Sequence, residues 1–228
     1  MLDICMTHGK RTRVLVILVA LLFSCAREPA VNHVPRSGEP VGFVKALCEA
    51  ALAQTKHAVR YDGSYRIISY PGGDVPADLG VCTDVVIRTY RMLGIDLQKE
   101  VHEEMRSNFE IFPKKWSLKE PDTNIDHRRV PNLQVFFSRR GIVLPVTQKA
   151  QDYQPGDIVT WSVWTRPHIG LVVDRLSTDG KRFMIVHNIG RGQELEDMLF
   201  DYPITGHYRY YGSYSEMTRK DERYKCAF

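Results

Sequence analysis

The sequence has no C-x-x-C pair, no G-x-S-x-G elbow, no phosphate-binding loop, no internal repeat and no low-complexity tract. These absences set aside a dithiol centre, a nucleophile-elbow serine hydrolase, a P-loop enzyme and a solenoid. A zinc helix of the H-E-x-x-H kind is missing too, because "HEEMR" at 102–106 carries Arg106 where the second histidine would stand. The longest apolar run, "VLVILVALLF" at 14–23, is too short to cross a bilayer comfortably. Charge of one sign is also scarce: 31 Lys and Arg face 27 Asp and Glu, a net of +4. Nucleic acid is therefore not an implied partner.

What is present reads as a globular chain of 228 residues, 43% hydrophobic and 25% charged, long enough to bury a core without staples. Its start differs. Lys10, Arg11 and Arg13 precede the apolar run, and "LLFSC" closes it, a charged n-region and an h-region of signal-peptide length. Leu22, Ser24 and Cys25 resemble the bacterial lipoprotein signal, in which the cysteine is lipidated and becomes the new N-terminus. Residues 1–24 are accordingly expected to be a lipoprotein-type signal peptide, 25–42 a Pro- and Gly-rich tether, and 43–228 the folded domain. Loss of a leader with three basic residues and Asp3 leaves about +2. The expected location is the periplasm or cell envelope, with the membrane engaged through a lipid on Cys25. In such an oxidising compartment Cys48 can pair with Cys226, leaving Cys82 free.

Apolar spacing predicts a helix from Phe43, a strand in "YRIIS", and a helix in "CTDVVIRTYRML" with Gly94 as its cap. Further helices are expected over 96–108 and in "PNLQVFFSRRG", which Pro131 enters and Asp126 caps. The strands expected later are "GDIVTWSV", "HIGLVVDRL", "RFMIVHNI" and "GHYRYY", with "STDGK" as a hairpin turn. Helices first and strands later imply an α+β domain, its N-terminal helices packed on an antiparallel sheet.

Cys82 begins its helix, where the dipole and free N–H groups favour thiolate over thiol and where its own N–H can hold an oxyanion. A thiol nucleophile needs a proton acceptor brought to it by the fold. His168 opens one strand, and His187, nineteen residues on, closes the next. A hairpin about "STDGK" makes the two imidazoles neighbours, giving the set Cys82, His168 and an orienter, His187 or Asn188. Asp84 can hold a substrate ammonium, and His127 and Arg128 can meet the carboxylates of a peptide. Neither a metal nor another cofactor is required by this set. A zinc site from His168, His187 and His207 has no diagnostic spacing.

Gly72 and Gly73, Cys82, Gly156 and Asp157, "HIG" at 168–170 and "VHN" at 186–188 together resemble the NlpC-type cell-wall cysteine peptidases, a branch of the papain-like fold. The pattern touches about 120 residues. Val81, Thr83 and Asp84 depart from it, standing where aspartate, serine and glycine are common. "GVCTDV", "NIDHRRVPNL", "PGDIVTW", "HNIG" and "GHYRY" more closely resemble a bacterial family of exported proteins known as domain of unknown function 1287. The resemblance implies a papain-like amidase or peptidase acting on peptidoglycan stem peptides. A non-catalytic cell-wall binding or scaffolding protein on the same fold, or an acyl or peptidyl transferase, are the alternatives.

Overall fold

The computed structural model describes residues 42–116 and 119–212. Cys25, the leader, most of the tether and Cys226 lie outside the described residues, and so does the Cys48–Cys226 pairing. In chain order the elements are α1 (Phe43–Gln54), β1 (Arg60–Tyr61), β2 (Leu79–Gly80), α2 (Cys82–Met92), α3 (Leu97–Ser107), α4 (Val130–Arg140), β3 (Ile142–Val143), β4 (Ile158–Val163), β5 (Arg166–Leu176), β6 (Phe183–His187), β7 (Glu194–Glu196) and β8 (Ile204–Arg209). The fold is α+β, as expected. Six strands form one antiparallel sheet in the order β3-β8-β4-β5-β6-β7, while β1 and β2 make a separate parallel pair. No helix among the described residues is long and apolar enough to cross a membrane.

Both faces of the sheet are covered, and for this reason β4 and β5 read as nearly unbroken apolar runs rather than alternating ones. One face carries Ile158, Ile169, Leu171, Val173 and Val186 against the helices, together with Leu47, Val85, Val86, Leu133 and Phe137. The other face carries Val159, Trp161, Val172 and Ile185 and is closed by Met198 and Leu199. Trp161 donates its indole N–H to the Leu199 carbonyl at 3.0 Å, so the large ring is buried without an orphaned donor.

Helix boundaries follow local chemistry. Asp96 caps α3 by accepting from the N–H groups of Gln98 and Lys99. Pro131 sits in the first turn of α4, where its missing N–H costs nothing. At α2 the N-cap is Val81, which has no acceptor, but Asp84 reaches back to the Val81 N–H at 2.7 Å, one half of a capping box.

Two expectations fail here, and four short strands are additional. "YRIIS" is not a strand: Tyr65 and Ile67 are 56% and 87% exposed, and the Ile68 N–H goes to the Asn124 side chain instead of to a ladder. Asp126 does not cap α4; it accepts from the Asp122 N–H and from Arg129 in the preceding turn. The two-residue strands β1 and β2, and the short β3 and β7, were not expected, being too short to carry a period.

Candidate functional site

The β5–β6 hairpin turns through Ser177–Lys181, with the Ser177 N–H on the Arg182 carbonyl at 2.8 Å and Gly180 at φ +68°. Leu171 pairs with Val186, which sets Gly170 opposite His187. A Cβ on Gly170 would come to 2.7 Å from Ile185 Cγ2 and 3.1 Å from His187 Cβ, so the glycine two residues after His168 is what lets the histidine strand close up. The result is a hydrogen bond of 3.0 Å between His168 Nε2 and His187 Nδ1, with the rings edge to face. His187 Nε2 in turn lies 2.8 Å from Glu196 Oε2 on β7.

Asn188 does not meet His168. Its side-chain oxygen accepts from the Gly190 N–H at 3.0 Å and shapes the turn after β6. Of the two orienters expected, His187 is the one against the His168 ring.

Cys82 is the first residue of α2, 4% exposed, and faces β5. The N–H groups of Ile169, Thr83 and Cys82 itself pull the thiol toward ionisation. Burial outweighs them, and with Asp84 nearby the pKa is pushed up to about 12. The Tyr61 phenol, beside the sulfur, is also pushed up to about 12, by burial first and then by Cys82. Burial and the neighbouring His187 push His168 down to about 3, and burial lowers His187 as well. The thiolate expected from the helix start is therefore not the resting form. At pH 7 both thiol and imidazole are neutral.

The sulfur meets β5 at the N–H of Ile169, the residue after His168. His168 shares the parity of Gly170 and Val172, on the face with Trp161 and His187. Among the described residues no hydrogen bond joins Cys82 to either ring. Sulfur and ring therefore adjoin only through consecutive backbone positions of β5, and their side chains lie on its two faces.

Asp84 and Arg128, expected to contact substrate, are spent on each other. Arg128 Nε and Nη2 reach Asp84 Oδ1 and Oδ2 at 2.8 and 2.9 Å, with both side chains 2% exposed. The same guanidinium holds the carbonyls of Asp62 and Ser64, and Thr83 donates to the Arg128 carbonyl. The pair clamps the "NIDHRRV" turn to the head of the cysteine helix. His127 is buried as well, pushed down to about 3 chiefly by desolvation, with Nδ1 unpaired. His207 sits elsewhere, stacked on Tyr153 and held by Asp157 at 2.8 Å and by the Pro145 carbonyl.

Two residues at the site escaped the sequence reading. Tyr61 lies in a two-residue strand, and Glu196 lies in "GQELEDM", where Glu194 and Glu196 flanking Leu195 were the only trace of a strand.

A family model described as Domain of unknown function (DUF1287) matches residues 48–210. The uncharacterized protein YijF of Escherichia coli (strain K12) is 49% identical over 167 residues, 73% of this chain and 81% of its own. The solved structures of NlpC1 and NlpC2 from Trichomonas vaginalis are similar at 17% and 16% identity, with TM-scores of 0.39 and 0.35. Those matches cover 74% and 78% of this chain but 44% and 50% of the other chains, so this chain spans half or less of their length.

Proposed function

The chain belongs to the family described as Domain of unknown function (DUF1287), and on that premise we propose that it is an exported papain-like cysteine hydrolase that cuts an amide bond of peptidoglycan stem peptides. The observation that carries this reading is the 3.0 Å His168–His187 pair on β5 and β6, next to the strand position against which Cys82 packs. The substrate class rests on the export-type leader and on the motifs shared with the NlpC-type peptidases, and a lipid on Cys25 would keep the domain at the membrane.

The neutral resting pair defines the mechanism. As the Cys82 sulfur attacks the amide carbon and the C–S bond forms, the thiol proton passes to His168 through a water or after the bound substrate has brought ring and sulfur together. The Cys82 N–H, with Tyr61 beside it, is placed to hold the oxyanion. The imidazolium then gives its proton to the leaving amine as the C–N bond breaks. Water, deprotonated by His168, cleaves the thioester and restores the thiol. Desolvation that disfavours the thiolate also strengthens each of these electrostatic interactions once substrate has displaced water.

One observation favours a second reading, a cell-wall binding or scaffolding protein on the same fold: Cys82 is 4% exposed and its thiol is pushed up to about 12. Incubation of the leader-less protein with purified sacculi, followed by mass analysis of the soluble fraction, decides between them. The hydrolase reading expects released peptide fragments whose new termini define the bond cut; ligation to added amine acceptors would indicate a transferase instead. Sacculi that bind the protein but release nothing would leave the scaffold.

A further inference from the structure

We propose that Glu196 is a positioning residue that sets the tautomers of both histidines and leaves the lone pair of His168 on Nδ1. The kinetic part of this inference rests on the hydrolase reading above; the tautomeric part does not.

A carboxylate has only acceptors, so at 2.8 Å from Glu196 Oε2 the Nε2 of His187 must carry the hydrogen. A neutral imidazole has one N–H, which makes His187 Nδ1 an acceptor. Burial keeps this ring neutral near pH 7, since it is fully enclosed and its pKa lies below the ordinary value. The partner at 3.0 Å, His168 Nε2, must then donate. That fixes His168 as the Nε2–H tautomer with a bare Nδ1, and among the described residues Nδ1 has no hydrogen-bond partner. A base needs that free lone pair if it is to receive the proton of a thiol.

The acid is itself held in place. β7 pairs with β6 so that Ile185 faces Glu196 and His187 faces Glu194, and Arg191 bridges Glu194 and Glu196. The charged and titratable groups around His187 are thus His168, Glu194, Glu196 and Arg191. Without the Glu196 carboxylate, His187 Nε2 loses its hydrogen-bond acceptor and the ring can place its hydrogen on Nδ1. His168 would then have to accept at Nε2 and carry its own hydrogen on Nδ1, the nitrogen that should be bare. Glu196 also lowers the cost of a positive His168, because the charge can be shared along the hydrogen-bonded row toward the carboxylate.

The test uses the full chain labelled with ¹⁵N-histidine and long-range ¹H–¹⁵N spectra at pH 7. His168 and His187 should both appear as Nε2–H tautomers in the wild type. In Glu196→Ala both should gain a substantial Nδ1–H share. On released peptide, Glu196→Ala should lower kcat about 10- to 100-fold with KM within about twofold, and Glu196→Gln, whose amide oxygen still accepts, should retain more activity. A wild-type His168 carrying its hydrogen on Nδ1, or tautomers unchanged in Glu196→Ala, overturns the proposal, and the wild-type spectrum decides it even if the variant fails to fold. Tautomers that shift as described in a protein that releases nothing from sacculi would remove the hydrolase reading and leave the positioning role standing. Turnover by the wild type with kcat unchanged in Glu196→Ala would do the reverse.

Discussion

Cys82→Ala is expected to reduce fragment release by more than about 10⁴-fold, because the reaction loses the atom that forms the covalent intermediate and the residual rate comes from binding and the oxyanion site alone. His168→Ala should cost about 10² to 10⁴, the usual contribution of a general base, since the sulfur would remain but its proton would have no acceptor. The fold should tolerate Cys82→Ala. The Cβ and the helix remain, and loss of one buried sulfur is worth about 1 kcal/mol, a shift of a few degrees in Tm. Release from sacculi and thermal melting, measured on the same preparations, check both halves. A Cys82→Ala protein keeping a tenth or more of the activity would show that the sulfur is not the nucleophile.

The second large effect is on stability. Arg128→Ala should destabilise the domain by about 3–5 kcal/mol, because it leaves the Asp84 carboxylate buried without its counter-charge. It also strips the carbonyls of Asp62 and Ser64 of a donor. For a domain of this size such a loss lowers Tm by about 10 °C. The pair itself need not be a net stabiliser. Replacing both members, Asp84→Leu with Arg128→Met, should recover much of the loss, since the desolvation cost disappears together with the attraction. Urea denaturation of the two variants distinguishes these cases; a change below 1 kcal/mol in Arg128→Ala would mean that the clamp at the head of α2 bears no strain. Since Asp84 also accepts from the Val81 N–H, activity should fall with the clamp, through the placement of Cys82.

The elements that position the site were legible wherever a local rule set them. Cys82 heads its helix, the "STDGK" turn brings His187 back to His168, and Gly94 and Pro131 mark helix ends by local chemistry that needs no knowledge of the rest of the chain. Tertiary burial was not legible. A helix start lowers the pKa of an exposed thiol, but the packing of α2 on β5 raises that of Cys82, and only the fold reveals which wins. The same holds for Asp84 and Arg128, separated by 44 positions: as sequence they read as groups for a ligand, and as structure they complete one another. "YRIIS" has a strand's composition, but its Ile68 N–H goes to the Asn124 side chain, a partner 56 positions away that composition alone does not disclose. Glu196 was hidden because a three-residue strand carries too little pattern to be seen, and its role appears only once β7 lies beside β6.

The most direct measurement is acid quenching of the wild-type protein during turnover of a soluble stem peptide, followed by peptide mapping by mass spectrometry. The account predicts a hydroxylamine-labile acyl adduct on the peptide that contains Cys82, present only while substrate remains. Fragments released while that peptide stays unmodified throughout, or an adduct on Cys48 instead, would contradict it.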